Sequence, residues 1–171
     1  ELASETGGKV VATVLGQGVD GVVADLSAYG ASKTVLVEND ALATYNTVAF
    51  ATALEKVISE VKPSVVLAAA SSQGKDLFPR LAARIKAGLS TDTTNLRLEG
   101  GKLVATKPVY SGKAFAEVHF NTDVQMATIR PNSFGAEKVE GGNAEVQKLD
   151  AELGELINPV VETVAGSSGD K

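Results

Sequence analysis

The sequence predicts an α/β fold in which a parallel sheet is flanked by helices in three layers, with antiparallel hairpins in the second half. Three observations support this prediction. Short β-branched runs alternate with helical patterns up to about residue 89. Residues 64–70 (SVVLAAA) form one continuous apolar run, as expected of a strand in a covered parallel sheet. Glycine and asparagine turns separate the later apolar segments, which is typical of hairpins.

The first half of the chain alternates three strand candidates with three helix candidates. Apolar residues recur at helical spacing in the longest helix candidate, for example at Val48, Ala51 and Leu54. Gly30 and Pro63 are expected to end the first two helices. In chain order, the candidates are strand 9–15, helix 19–29, strand 34–37, helix 44–60, strand 64–70 and helix 75–86. Because the third strand is apolar throughout, we expect it to be covered on both faces.

Antiparallel pairing is predicted after Leu89, where the helical periodicity ends. Gly100-Gly101 lies between the apolar segments 96–98 and 103–109, and a glycine pair in this position favours a tight hairpin turn. A second hairpin is predicted from two further apolar segments that flank a polar turn. These are residues 114–120 and 124–129, on either side of Asn121-Thr122-Asp123.

The last quarter of the chain is less regular. Residues 145–156 fit either a helix or a strand, and residues 160–164 alternate as a strand would. Residues 165–171 (AGSSGDK) have the composition of a linker. We therefore predict one α/β domain over residues 1–164, followed by a linker at 165–171.

The composition excludes several kinds of chemistry. The 171 residues contain no cysteine and one histidine, His119, which removes disulfides, thiol catalysis, iron–sulfur clusters and cysteine zinc sites. A net charge of −5 and a pI of about 4.9 disfavour a nucleic-acid binder. No apolar run is long enough to cross a bilayer, so membrane insertion is not expected. We predict no metal site and no catalytic residue.

One motif fits a dinucleotide site. Gly16, Gly18 and Gly21 form a literal G-x-G-x-x-G between a strand and a helix, and Glu38 ends the next strand, where a ribose-binding acid would lie. The alternative is an ordinary strand-to-helix turn in a glycine-rich protein. Asp20 favours that alternative, because its carboxylate would lie close to bound phosphates. Only three parallel strand candidates precede the hairpins, fewer than a dinucleotide domain usually has.

A second strand-to-helix turn, residues 71–76 (SSQGKD), could hold an anion on its backbone amides. It is not a P-loop, because Ala69 replaces the first glycine of that motif and Asp76 replaces the magnesium-binding hydroxyl. We favour a tight turn with a helix cap that presents polar side chains for docking. A hydrolase or transferase using Asp76 or Asp92 is a weaker alternative, because two carboxylates need a mutual geometry that sequence cannot supply.

In order along the chain, several segments resemble the α subunit of electron transfer flavoprotein. The most specific piece is 71–84 (SSQGKDLFPRLAAR), and the resemblance extends over about residues 7–164. The other matching segments are 15–19 (LGQGV), 29–37 (YGASKTVLV), 88–92 (GLSTD), 108–114 (PVYSGKA) and 129–134 (IRPNSF). The resemblance also favours an extended conformation for residues 145–150.

This resemblance implies an electron carrier rather than an enzyme. Family members are heterodimers of α and β subunits that carry one FAD and pass electrons from flavin dehydrogenases to a quinone reductase or another acceptor. The FAD lies mainly in a C-terminal domain of the α subunit, and none of that domain's FAD motifs occurs in these 171 residues. The resemblance thus implies FAD in the intact protein, none in this chain, and no FAD or NAD site at the glycine turn.

The role implied for this chain is support and docking against the β subunit. Loops at strand ends are where α/β domains present their binding surfaces. The contact candidates chosen on that ground are Ser72, Gly74, Lys75, Asp76, Arg80, Asp92, Tyr110 and Lys113.

The resemblance also predicts that the N-terminal part of this chain differs from that of family members. Family members begin with a further strand and helix, and we expect this sequence to start inside that helix, at about residues 1–8. Without that strand, two neighbouring strands would lack a hydrogen-bond partner. The expected compartment is the cytoplasm of a bacterium, or the mitochondrial matrix if the source is eukaryotic.

Overall fold

The computed structural model describes residues 1–139, 144–155, 158–162 and 164. Four helices lie in these residues: α1 (Leu2–Thr6), α2 (Val23–Ser27), α3 (Thr47–Val61) and α4 (Ser72–Ile85). The strands in the same residues are β1 (Val11–Gly16), β2 (Lys33–Glu38), β3 (Val65–Ala69), β4 (Gly88–Thr93), β5 (Asn95–Glu99), β6 (Lys102–Val109), β7 (Ala114–His119), β8 (Gln125–Ile129) and β9 (Glu145–Lys148). The predicted linker, residues 165–171, lies outside the described residues.

The strands form two parallel sheets and one antiparallel sheet. The parallel sheets have the orders β1-β2-β9 and β3-β8-β4, and the antiparallel sheet has the order β5-β6-β7. Helices α3 and α4 pack on one side of the parallel strands, and the antiparallel sheet packs on the other face of β3-β8-β4. The predicted three-layer α/β class is confirmed.

Helix α3 connects the two parallel sheets through one continuous core. Its Ala49 and Val57 pack with Val35 and Val37 of β2, while its Ala51 packs with Leu81 and Met126 against the other sheet. A third cluster joins the antiparallel sheet to β8 through Leu103, Ala105, Phe120 and Ala127. Strand β8 is thus packed on both faces, through Met126 toward the helices and Ala127 toward the antiparallel sheet.

The first predicted hairpin is confirmed, and the second is wrong. Strand β5 pairs antiparallel with β6 around Gly100 and Gly101, whose φ angles of 56° and 79° suit a tight turn. Strand β7 pairs back onto β6, so the second hairpin turns at 110–113. Strand β8 instead lies between β3 and β4, parallel to both. The polar turn at 121–123 carries the chain from one sheet to another, and local pattern does not identify a strand's partner.

Strand β3 was predicted to be covered on both faces, and the structure shows this only in part. Val66 and Ala68 pack toward the helices and Val65 toward the antiparallel sheet, whereas Leu67 and Ala69 are exposed. The strand has one neighbour, β8, in the described part of the chain, so it is an edge strand. Leu67 is 45% exposed on it. Strand β1 is also an edge strand and pairs with β2 alone within the same residues. An apolar run therefore identified a strand but not how much of it is covered.

Other elements differ from prediction at their boundaries. Residues 19–29 form a 3-10 turn at Asp20–Val22 and the short α2, rather than one helix. Helix α4 begins at Ser72, three residues before its predicted start, and β4 was missed because its sequence (GLSTDT) is largely polar. Residues 145–148 are extended, as the resemblance indicated. No strand occurs at 160–162 or at 164, and residue 163 of that prediction lies outside the described residues. None of the described helices is long and apolar enough to span a membrane.

Candidate functional site

The turn between β3 and α4 is a capped helix start. The hydroxyl of Ser71 accepts a hydrogen bond from the backbone N–H of Gly74 at 3.1 Å, which satisfies one of the free amides of the first turn. Gly74 is buried, and a Cβ there would collide with the carbonyl oxygen of Ala69. Gly74 was predicted as a docking residue. In the structure its role is steric, because it permits the close approach of α4 to β3, and the docking role stays a prediction.

One side of the α4 N-terminus lines a shallow cleft. The hydroxyl of Tyr45 donates a hydrogen bond to a carboxylate oxygen of Asp76 at 2.7 Å, and Arg80 follows one turn later. The bond from Tyr45 holds the pKa of Asp76 below its usual value, while burial raises the pKa of Tyr45. The cleft has a volume of about 260 Å³, and Asn158 and Val160 also line it.

A second group of charges lies around Asp92, and Lys75 of the first turn of α4 acts on it. Asp92 has a left-handed φ of 58° at an irregularity in β4, and its backbone N–H donates to Thr128 Oγ1 at 3.1 Å. Its carboxylate accepts bonds from Arg130 Nη2 at 2.6 Å and Nε at 3.1 Å, and these bonds hold the pKa of Asp92 below its usual value. Positive charge on Lys75 and Lys107 acts in the same direction.

Lys107 approaches the same cluster from the antiparallel sheet. Its ammonium nitrogen donates to Thr91 Oγ1 at 3.0 Å, so β6 contributes a cation to the edge formed by β4 and β8. The irregularity at Asp92 turns its side chain toward Arg130, at the carboxyl end of β8. Three elements and the first turn of α4 therefore bring their polar groups to one edge.

The hairpin tip between β6 and β7 presents aromatic side chains to solvent. Tyr110, Ser111 and Gly112 have consecutive left-handed φ angles of 51°, 57° and 84°. For tyrosine and serine this conformation costs about 1–2 kcal/mol each. The side chains of Tyr110 and Phe115 are 82% and 67% exposed. Strained backbone that displays an exposed aromatic side chain is typical of a recognition loop.

Two residues of the proposed dinucleotide motif, Gly16 and Glu38, make contacts within the chain. A Cβ on Gly16 would lie 2.6 Å from Val19 Cγ1, so this glycine makes room for a side chain of its own turn. Lys148 lies 3.1 Å from a carboxylate oxygen of Glu38 and 3.2 Å from one of Asp20, and the two carboxylates raise its pKa. The helix after this turn, α2, has five residues. These features favour an ordinary strand-to-helix turn over a dinucleotide site.

The predicted contact residues fall into three places. Ser72, Asp76 and Arg80 lie at the start of α4 on or near the cleft, Lys75 and Asp92 belong to the charged edge, and Tyr110 and Lys113 lie at the hairpin tip. Sequence reasoning missed three residues that complete these places: Tyr45, Lys107 and Arg130. Arg130 lies within one motif of the resemblance, IRPNSF, and Lys107 immediately precedes another, PVYSGKA, and those motifs were the available signal.

This arrangement of side chains is suited to binding another molecule. Within the described residues, no group of three or more histidine, aspartate or glutamate side chains could hold a metal ion. The two carboxylates considered for catalysis, Asp76 and Asp92, are bound by different residues, Tyr45 and Arg130 respectively. Aromatic residues and arginine are enriched in protein-binding surfaces, and polar groups surround them at the rim.

Comparison with known proteins gives a consistent match. Residues 1–153 match the electron transfer flavoprotein domain. The α subunit of electron transfer flavoprotein from Bacillus subtilis is 35% identical over 92% of this chain and 49% of its own length. The α subunit from Syntrophomonas wolfei is 37% identical over 85% of this chain and 46% of its own length. A subunit of the lactate dehydrogenase (NAD(+),ferredoxin) of Acetobacterium woodii, LctC, is 33% identical over 94% and 39%. The chain spans about half the length of the first two relatives.

Proposed function

This chain belongs to the electron transfer flavoprotein family, and from that premise we propose that it is the supporting and docking domain of an α subunit. The observation that carries the proposal is the match to α subunits over about nine-tenths of this chain and about half of the relatives' length. In this proposal, residues 1–164 hold the α subunit against a β subunit, and residues 165–171 lead toward an FAD-binding domain. The intact heterodimer carries the FAD, and this chain contributes no group to electron transfer.

The hairpin tip and the charged edge support the docking role. The hairpin tip exposes Tyr110 and Phe115, and aromatic residues are enriched where proteins bind tightly. The charged edge supplies cations that would orient a partner of opposite charge. Both surfaces lie at loops carried by packed sheets, so their geometry is set before binding. Arg80 and Asp76 at the cleft, together with Ser72 and Lys113, remain contact candidates.

The proposed physiological partners are those of the family resemblance. Electrons would enter from flavin dehydrogenases and leave to a quinone reductase or similar acceptor, in the cytoplasm of a bacterial cell. Nucleic acid is not a proposed partner, because the chain carries a net charge of −5. The protein would be an electron carrier without a catalytic site of its own in these residues.

The proposal is tested by co-expressing this chain with the β subunit encoded in the same genome. We expect the two to co-purify and to elute together in size-exclusion chromatography. The chain alone should be colourless and should show no heat of binding with FAD, NADH or AMP in calorimetry. Stoichiometric, tight binding of FAD by this chain alone would overturn the proposal. Binding of NADH or AMP that is lost on substitution of Glu38 would favour the nucleotide-binding alternative.

A further inference from the structure

The charges of four side chains near Asp92 do not cancel. We define the Asp92 cluster as Lys75, Asp92, Lys107 and Arg130. It contains three cations and one carboxylate, in a chain whose net charge is −5. The carboxylate of Asp92 is engaged by Arg130 through two nitrogens, so that pair neutralises itself. The charges of Lys75 and Lys107 are therefore left over at this edge.

The two lysines lack a carboxylate in direct contact within the described residues. Lys107 is half-buried, and the hydrogen bond of its ammonium group goes to the neutral hydroxyl of Thr91. Lys75 is exposed on the first turn of α4, and its ammonium group acts on Asp92 only at longer range. A half-buried cation that is hydrogen-bonded only to a neutral group gains more from a nearby anion than a fully solvated one does.

The surroundings favour a protein carboxylate as that anion. The excess positive charge of the cluster would attract a carboxylate or a phosphate alike, so the neighbouring hairpin tip decides between them. Lys107 also lies three residues before Tyr110, whose exposed ring begins the hairpin tip. A macromolecular partner can contact the tip and the cluster together, whereas a small anion contacts the cluster alone.

We propose that the Asp92 cluster receives an acidic segment of the β subunit, with a partner aspartate or glutamate placed between Lys75 and Lys107. This inference rests on the docking function proposed above and specifies the chemistry of the surface that docks. The charge pairing would steer the encounter and set the register of the two subunits, with the aromatic tip contributing the apolar contact.

The test measures association of this chain with the β subunit from the same genome, by biolayer interferometry at several salt concentrations. The variants are Lys75→Glu and Lys107→Gln, singly and together. Lys56→Glu is the matched control, because Lys56 is an exposed lysine on α3, away from the cluster. The double variant should associate roughly tenfold or more slowly than the unaltered chain, with a weaker salt dependence, while Lys56→Glu should leave both unchanged.

Two further measurements distinguish a loss of association from a loss of folding and from binding of another anion. Urea unfolding of each variant identifies any loss of folding, and Lys75→Glu alone remains informative because Lys75 is exposed. Titration with inorganic phosphate, followed by NMR, tests the other anion. If the complex forms and the lysine variants associate as fast as the unaltered chain, this inference is wrong and the docking function stands. Saturable phosphate binding at the cluster together with unchanged association would also overturn it. If the unaltered chain forms no complex, both proposals fail.

Discussion

The turns after β1 and β3 both lead from a parallel strand into a helical segment, and both contain a sterically required glycine. They differ in the helix that each turn begins. The turn after β1 enters a 3-10 turn and the five-residue α2, with no side-chain cap. The turn after β3 enters the fourteen-residue α4, capped by Ser71. The first turn better matches a known motif, yet the second organises the polar groups of the surface. A glycine pattern therefore indicates only a tight turn. Polar groups are gathered at the second turn because the long, capped helix α4 begins there.

The largest effect should come from Gly74→Ala in the second turn. The new Cβ would collide with the backbone carbonyl of Ala69, which cannot move without shifting β3. We expect a loss of about 2–4 kcal/mol in the free energy of unfolding, measured by urea denaturation. Gly21→Ala in the first turn is the matched control, because nothing lies within 4 Å of a Cβ there. Equal losses in the two variants would contradict the tight approach at Gly74.

A smaller loss, about 1–3 kcal/mol, is expected for Gly16→Ala in the first turn. Here the Cβ would meet the side chain of Val19, at 2.6 Å from Cγ1, rather than backbone. Because a side chain can be removed, the second substitution Val19→Ala should restore part of the lost stability. A double-mutant cycle in urea measures this coupling. Strict additivity would show that the loss at Gly16 does not come from its contact with Val19.

Removing the cap of α4 should cost about 1 kcal/mol in the free energy of unfolding. Ser71→Ala leaves the N–H of Gly74 without its 3.1 Å acceptor, whereas Ser71→Asp keeps an acceptor at the cap. Urea denaturation of the two variants should therefore separate them, with Ser71→Asp close to the unaltered chain. Gln17→Ala in the uncapped first turn removes a surface hydrogen bond to Asp40 and should change stability less than Ser71→Ala.

The smallest effect concerns the charge beside the second turn. The bonds from Arg130 hold the pKa of Asp92 below its ordinary value of 3.8. A lowered pKa means that this pair stabilises the fold above that ordinary value and that the stabilisation is lost as pH falls through the lowered pKa. Asp92→Asn should therefore reduce the loss of stability on acidification below about pH 4. Urea midpoints at about pH 6 and about pH 3 measure this, and an unchanged pH dependence would show that the pair contributes nothing in solution.

Part of the fold could be predicted from local patterns. The errors arose where a strand's burial or partner depends on segments that are distant in the sequence. Residues 9–15, 34–37 and 64–70 were recognisable as strands because their apolar residues are consecutive and β-branched. Strand β4 was missed because its buried Ser90 and Thr93 bond to each other, which lets a polar sequence lie in the core. Strand β8 was assigned to the wrong partner because pairing depends on where distant segments pack.

The candidate site shows the same division. The capped turn at residues 71–76 was recognisable because a cap involves residues three positions apart. Arg130 and Lys107 could not be placed beside Asp92, because they are 38 and 15 positions away along the chain and meet only when β8 and β6 pack near β4. The steric role of Gly74 could not be predicted, because it depends on the carbonyl of Ala69, a neighbour that the sequence does not identify.

The sequence by itself determined the α/β class, the two tight turns, the first hairpin and, through ordered motifs, the family. These depend on residues close together in the chain, where hydrogen bonding and side-chain periodicity act locally. The tertiary structure decided that β3 is an edge strand in the described part of the chain and that Lys148 pairs with Glu38 and Asp20. It also decided that Arg130 pairs with Asp92 while Lys75 and Lys107 act on that carboxylate only at longer range. Strand coverage and charge balance depend on which distant segments meet, and that is set by the packing of the whole core.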